Sequence, residues 1–141
     1  MHRQLDDRTL VSGQIHPDDV PALKDLGVTL IVNNRPDGEE AGQPAAAQVR
    51  KAAEAAGLGY IHLPVVSGRI EEDEVRAFQK AVAAAPGPVL AHCRSGTRSL
   101  TLYVLGEVLD GRMNKDEVIP FGQRLGFDLA GAVKWLEARG Y

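Results

Sequence analysis

The stretch Val89-Leu90-Ala91-His92-Cys93-Arg94-Ser95-Gly96-Thr97-Arg98-Ser99 decides how this chain is read. Val89, Leu90 and Ala91 are apolar without alternation and follow Pro88, the pattern of a short strand covered on both faces. From Leu100 onward, Leu100, Leu102, Tyr103, Val104, Leu105, Val108 and Leu109 cover nearly every side of a helix, which predicts a buried one. Between strand and helix lies a tight loop at a helix N-terminus. There, unpaired backbone N–H groups and the positive end of the helix dipole can converge on an oxyanion.

The same field favours a thiolate at Cys93, and a thiolate is the nucleophilic form of cysteine. Arg98 adds a planar fork that grips two oxygens of a tetrahedral anion. Gly96 allows a backbone conformation that a side chain obstructs. Ser99 can donate its hydroxyl to the sulfur or to a departing group. The plainer alternative is one inert buried cysteine beside a turn glycine.

His92-Cys93-Arg94-Ser95-Gly96-Thr97-Arg98-Ser99 resembles the signature loop of cysteine-dependent phosphatases. It departs in spacing: only Arg94, Ser95, Gly96 and Thr97 separate Cys93 from Arg98, one residue fewer than in those enzymes. The shorter spacing is similar to that of rhodanese-type sulfurtransferases, whose smaller loop holds a persulfide on the cysteine. Phosphoryl transfer and sulfur transfer therefore split on loop size.

The bulk properties are ordinary. A chain of 141 residues suits one domain, here taken as 1–141, and 44% hydrophobic residues with a net charge of −3 fit a soluble globular protein. Scattered arginines and only 5% aromatic residues give no basic stripe for nucleic acid. The apolar runs are too short for a membrane span, and Met1 to Arg8 is too polar for a signal peptide, so the expectation is cytoplasmic. A lone cysteine forms no intrachain disulfide and no cysteine-rich zinc site, and it needs a reducing compartment to stay a working thiol. No metal or organic cofactor is indicated, and oligomeric state is open.

Along the chain, an Asp-Asp-Arg turn between two short extended pieces within Leu5 to Gln14, the second Thr9 to Gln14, predicts an antiparallel edge to the sheet. A helix starts at His16-Pro17 or Asp18 and ends at Gly27, with His16 at the surface. Val28 to Val32 reads as a strand running into the polar loop Asn33-Asn34-Arg35-Pro36-Asp37-Gly38-Glu39-Glu40. In parallel sheets, loops after strand C-termini share one edge, so this loop should face the one after His92. Asp37 is then a candidate general acid and Arg35 a second anion contact, although these residues would equally make a turn. Pro44 opens an alanine-rich helix closed by Gly57, and Gly59 to Val65 reads as another strand, with His62 a hydrogen-bonded packing residue. Glu71, Glu72, Asp73 and Glu74 sit where carboxylates complement the dipole of a helix through Val75, Phe78 and Val82. Asn114 with Glu117 forms a capping box, but Pro120 predicts a short or kinked helix, with another brief turn between Gly122 and Gly126. Asp128 caps a last helix through Leu129, Ala132, Val133 and Leu136, in which Trp135 serves packing.

Taken together, Leu5-Asp6-Asp7, Val11-Ser12-Gly13-Gln14, Val32 to Glu39, His62-Leu63-Pro64 and Leu90 to Ser99 resemble the bacterial phosphatase-like domain family of beta-lactamase-hydrolase-like proteins. That resemblance implies a single α/β domain with a dual-specificity-phosphatase-like fold: a central, mainly parallel sheet with helices on both faces. It implies Cys93 as nucleophile, Arg98 as oxyanion clamp, Ser99 as its assistant, and the backbone of Arg94, Ser95, Gly96 and Thr97 as the substrate cradle. Phosphatases of this kind usually carry a general-acid aspartate in the loop that here reads Ser67-Gly68-Arg69, so the acid is missing from its slot. Family members also occur joined to metallo-hydrolase domains connected with sulfide and persulfide oxidation, which implies sulfur transfer as the alternative. The expected partner is a phosphorylated or sulfane-sulfur substrate, small molecule or protein. A non-catalytic anion-binding module is the third reading.

Overall fold

In the computed structural model, which describes residues 2–141, five strands form one sheet with helices on both faces. The strands are β1 (His2–Gln4), β2 (Thr9–Ser12), β3 (Leu30–Asn33), β4 (Gly59–His62) and β5 (Val89–His92), in the spatial order β1-β2-β5-β3-β4. Neighbours run parallel except β1, which pairs antiparallel with β2. The helices are α1 (Val20–Asp25), preceded by a 3-10 turn at Pro17–Asp19, then α2 (Ala46–Ala56), α3 (Glu72–Ala84), α4 (Thr97–Leu109), α5 (Lys115–Leu125) and α6 (Ala130–Ala138).

The unalternated apolar strands have their explanation in two cores. Val89 and Ala91 of β5 join Val11, Val32, Phe78, Leu100 and Leu136 in one buried cluster, while Leu90 joins Ile31, Val20, Val49 and Ala53 in a second on the opposite face. Successive side chains of a strand alternate faces, so a strand buried on both sides must be apolar throughout. This puts β5 in the middle of the sheet. The loop that follows it is thereby fixed by buried structure on both sides.

Three expectations are corrected. The edge strand β1 lies before Leu5, not at it, although the antiparallel edge is present. The strand expected over Gly59 to Val65 ends at His62, ahead of Pro64, which has no N–H to offer a ladder. Pro120 does not divide its helix: α5 runs continuously to Leu125, with Val118 and Gly122 buried. Proline in a helix interior costs about 3 kcal/mol, and the packing across α5 offsets it. Gly122 sits so tightly there that a Cβ would lie 2.8 Å from the Leu129 side chain. No described helix is long and apolar enough to cross a membrane.

Candidate active site

The loops after β2, β3, β4 and β5 meet at one edge of the sheet. The Gln14 N–H donates to the Arg94 carbonyl at 3.1 Å, the Asn34 N–H to the His92 carbonyl at 2.8 Å, and the Val65 N–H to the Asn34 carbonyl at 3.0 Å. Gly13 is required by this closeness, since a Cβ there would lie 3.0 Å from the Arg94 oxygen. Cys93 lies at the floor of the assembly, 1% exposed. The Gly96 N–H points at its Sγ at 3.1 Å, so the loop already directs a backbone donor at the sulfur. Gly96 caps α4 with φ of +102°, and a side chain there would also strike the Phe127 ring.

Arg98 projects from the first turn of α4. Its Nη1 and Nη2 donate to the two carboxylate oxygens of Glu39, both at 2.8 Å, and Nη1 also donates to the Val65 carbonyl at 3.1 Å. The Glu39 hydrogen bonds raise the Arg98 pKa. Reciprocally, Arg98 first and Arg35 next hold the Glu39 carboxyl down to about 2, against the burial that pushes it up. The thiol of Cys93 also favours the Arg98 charge, so this guanidinium stands between a sulfur and a carboxylate.

The structure brings Arg35 to the site but not as a free anion contact. Its side chain is 1% exposed, and each of its three nitrogens has a partner: Glu39 on Nε at 2.8 Å, Gln14 on Nη1 at 3.0 Å and Glu40 on Nη2 at 3.0 Å. Burial works against the charge, and the hydrogen bonds to Glu39 and Glu40 outweigh it, raising the pKa. Arg35 therefore acts through Glu39. Asp37 points elsewhere, and its Oδ1 accepts the Ala46 N–H at 2.8 Å at the start of α2. It serves as a cap rather than facing the cysteine. Ser99 is fully buried and donates to Asn34 Oδ1 at 2.7 Å, so its single proton points away from the sulfur. Arg94 stands at the rim, 67% exposed and 3.7 Å from Glu40. The Ser95 and Thr97 hydroxyls pair with each other at 3.2 Å.

His92 precedes the cysteine, fully buried, with neither ring nitrogen hydrogen-bonded among the described residues. Burial lowers its pKa to about 4, leaving it neutral at pH 7. His62 has the packing role expected of it, with Nε2 on the Arg35 carbonyl at 2.8 Å. A small cavity of about 150 Å³ opens beside Arg98, lined by Ser67, Ile70, Thr97, Asp128 and Trp135 among others. A larger one of about 630 Å³, bordered by Arg8, Phe78, Tyr103 and Asp110, lies at the far end of α4 from Cys93. Volume does not mark the chemistry here; the converging donors do.

Glu39, Glu40, Gln14 and Asn34 belong to the site, although their residue types and spacing alone did not single them out. A signal for Glu39 was present, an acid four residues after Arg35, but its meaning depends on Arg98, which is remote in the chain.

Comparison with known proteins gives the family and the fold. Residues 2–110 match the family described as beta-lactamase hydrolase-like protein, phosphatase-like domain. A beta-lactamase hydrolase-like protein of Agrobacterium fabrum is 49% identical over 134 residues, covering 95% of this chain and 31% of that protein. The chain thus spans about a third of the length of such curated relatives. Among solved structures, a candidate phosphatase from Neisseria meningitidis superposes with a TM-score of 0.86 at 35% identity, over 96% of this chain and 95% of that one. Pseudomonas aeruginosa TpbA shares the fold at a TM-score of 0.76 and 20% identity, over 97% of this chain and 83% of that one. The architecture is therefore that of the tyrosine- and dual-specificity-phosphatase-like α/β fold, and the chain belongs to the phosphatase-like domain family of beta-lactamase hydrolase-like proteins.

Proposed function

We propose that this domain hydrolyses phosphomonoesters through a phosphocysteine intermediate. The observation that carries the reading is the junction of β5 and α4, where a buried sulfur already accepts a loop N–H and lies beside a guanidinium fork. Cys93 Sγ attacks phosphorus and the alcohol departs; water then cleaves the S–P bond, releasing phosphate and the thiolate. Arg98 and the amides of Arg94 to Ser99 stabilise the charge that grows on the equatorial oxygens. The substrate is a phosphorylated small molecule or protein, and the lone thiol fits a reducing, cytoplasmic setting.

Turnover of p-nitrophenyl phosphate tests this. Wild type is expected to release nitrophenolate, Cys93→Ser to release none, and Arg98→Ala to fall by roughly 10²- to 10³-fold, the usual cost of an oxyanion donor. Equal turnover by wild type and Cys93→Ser contradicts the proposal.

Two observations favour sulfur transfer as a second reading. Four residues separate Cys93 from Arg98, and Ser67-Gly68-Arg69 fills the slot where an acid is expected. A persulfide on Cys93 needs no leaving-group acid. Sulfur delivery from thiosulfate to a thiol acceptor, without turnover of the aryl phosphate, selects it. Tungstate affinity that survives Cys93→Ser and is lost in Arg98→Ala, with no reaction in wild type, selects a binding module.

A further inference from the structure

The phosphatase reading leaves one role unfilled, the acid that protonates the leaving oxygen. Asp37 caps α2, and Glu74 caps α3 through the Glu71 N–H at 2.8 Å. Glu39 is the carboxylate that touches Arg98, and it does so with both oxygens. Its side chain is 30% exposed, so it stands at the mouth rather than in the floor. It also has a second anchor, because Oε1 is held by the Nε of buried Arg35 at 2.8 Å. A carboxylate that leaves the Arg98 fork therefore remains tethered beside it.

The charges around Glu39 determine what an incoming substrate does to it. Arg98 binds it from α4 and Arg35 from its own loop; Glu40 shares Arg35 with it, Arg94 of the loop after β5 lies 3.7 Å from Glu40, Cys93 lies beside Arg98, and His62 of β4 reaches the Arg35 carbonyl behind. Arg35, Arg94 and Arg98 stand there with the carboxylates of Glu39 and Glu40. A phosphomonoester arrives near neutral pH carrying close to two negative charges, since its second pKa is about 6. It competes for the Arg98 fork and adds negative charge beside a carboxylate. Losing the Arg98 fork to a dianion beside it raises the cost of keeping Glu39 ionised, and the carboxylate takes a proton. The acidity of Glu39 depends on Arg98 first and on Arg35 after it, so loss of Arg98 removes its main cause.

We propose that Glu39 is the leaving-group acid of this site, loaded with a proton from solvent when a phosphoryl dianion takes over the Arg98 fork. The proposal rests on the phosphatase reading. As the S–P bond forms, the P–O bond breaks, its electron pair stays on the leaving oxygen, and that oxygen receives the Glu39 proton. Glu39 is then a carboxylate able to accept a proton from the water that attacks the phosphocysteine. In that second step the S–P electron pair returns to Cys93 as thiolate. The site thus becomes acid-bearing only when substrate is present.

The test compares p-nitrophenyl phosphate, whose leaving group needs little protonation, with phenyl phosphate, whose leaving group is far more basic. The enzymes compared are wild type, Glu39→Gln and Asp128→Asn. Glu39→Gln is expected to keep nitrophenyl ester turnover within about tenfold and to lose roughly 10²- to 10⁴-fold on the phenyl ester, the range of general acid catalysis. Equal losses on both esters would make Glu39 a positioning residue for Arg98 and overturn the proposal. Gains on both would make it a competitor for the anion and overturn it equally. A selective loss in Asp128→Asn alone would assign the acid to the cavity beside Arg98. Absence of turnover by wild type on either ester defeats the phosphatase reading itself, a result distinct from any pattern among the variants. Calorimetry of tungstate binding in buffers of different ionisation enthalpy gives a second measure, carried out on Cys93→Ser so that the thiol takes no proton. Proton uptake near pH 6 is expected there, and binding without uptake overturns the proposal even if Glu39→Gln does not fold.

Discussion

The loop after β5 and the loop after β3 meet at one edge of the sheet and hold charge by different means. Residues 93–98 present backbone donors, with the Gly96 N–H on the sulfur, and a single side-chain fork, Arg98. Residues 33–40 present side chains: buried Arg35 engages Gln14, Glu39 and Glu40, and Glu39 reaches across to Arg98. A backbone cradle persists under most substitutions because the fold sets its geometry. A side-chain network is undone by one. The β5 loop therefore supplies the reactive frame, and the β3 loop sets the charge it works against.

The sharpest way to break this contrast is Arg98→Lys. It keeps the positive charge but loses the fork that spans both Glu39 oxygens, and turnover of an aryl phosphate should fall about 10²-fold; near-normal turnover would mean that charge alone suffices. Arg35→Met next removes the centre of the β3 network while filling much of its volume. Loss of hydrogen bonds between charged groups should cost about 2 kcal/mol in urea unfolding, with the aryl phosphate rate less affected than in Arg98→Lys. Ser99→Ala leaves Asn34 Oδ1 without its partner and should cost about 1 kcal/mol, with only a small change in rate, because the hydroxyl does not donate to the sulfur. A rate loss as large as that of Arg98→Lys would return Ser99 to the reaction.

The smallest effect at neutral pH concerns protonation. His92, lowered to about 4 from an ordinary 6.5, contributes stability that is fully present above pH 6.5 and lost as pH falls toward 4, because the unfolded chain binds the proton more readily. Glu39, lowered to about 2 from 4.5, contributes stability present above pH 4.5 and lost as pH falls toward 2. Urea unfolding across pH should lose slope in the upper window in His92→Gln and in the lower window in Glu39→Gln. An unchanged slope in either would remove that group from the account.

The parts of this molecule that sequence made legible are those in which the informative residues are neighbours. Val89 to Leu109 contains strand, cysteine loop and helix without interruption, and each local preference agrees with the next. The antiparallel edge and the helix ends at Gly27 and Gly57 are similarly local. Pairings between distant residues were not legible. Glu39 and Arg98 are separated by 59 positions, and Asn34 and Ser99 by 65, so the roles of Glu39 and Ser99 follow only once the two loops meet. Asp37 and Arg35 were placed in the right loop, but which side chain faces the cysteine depends on the start of α2 and on Gln14. Pro120 misled because its local penalty is visible in sequence whereas the packing of Gly122 against Leu129 is not.

The most direct test of the central claim is the intact mass of acid-quenched protein after brief exposure to an aryl phosphate, read beside Cys93→Ser. A transient gain of one phosphoryl group on wild type, mapped to Cys93 and missing from the variant, is the predicted result. Turnover without any adduct at Cys93, or the same adduct on Cys93→Ser, would contradict a reaction that passes through this cysteine.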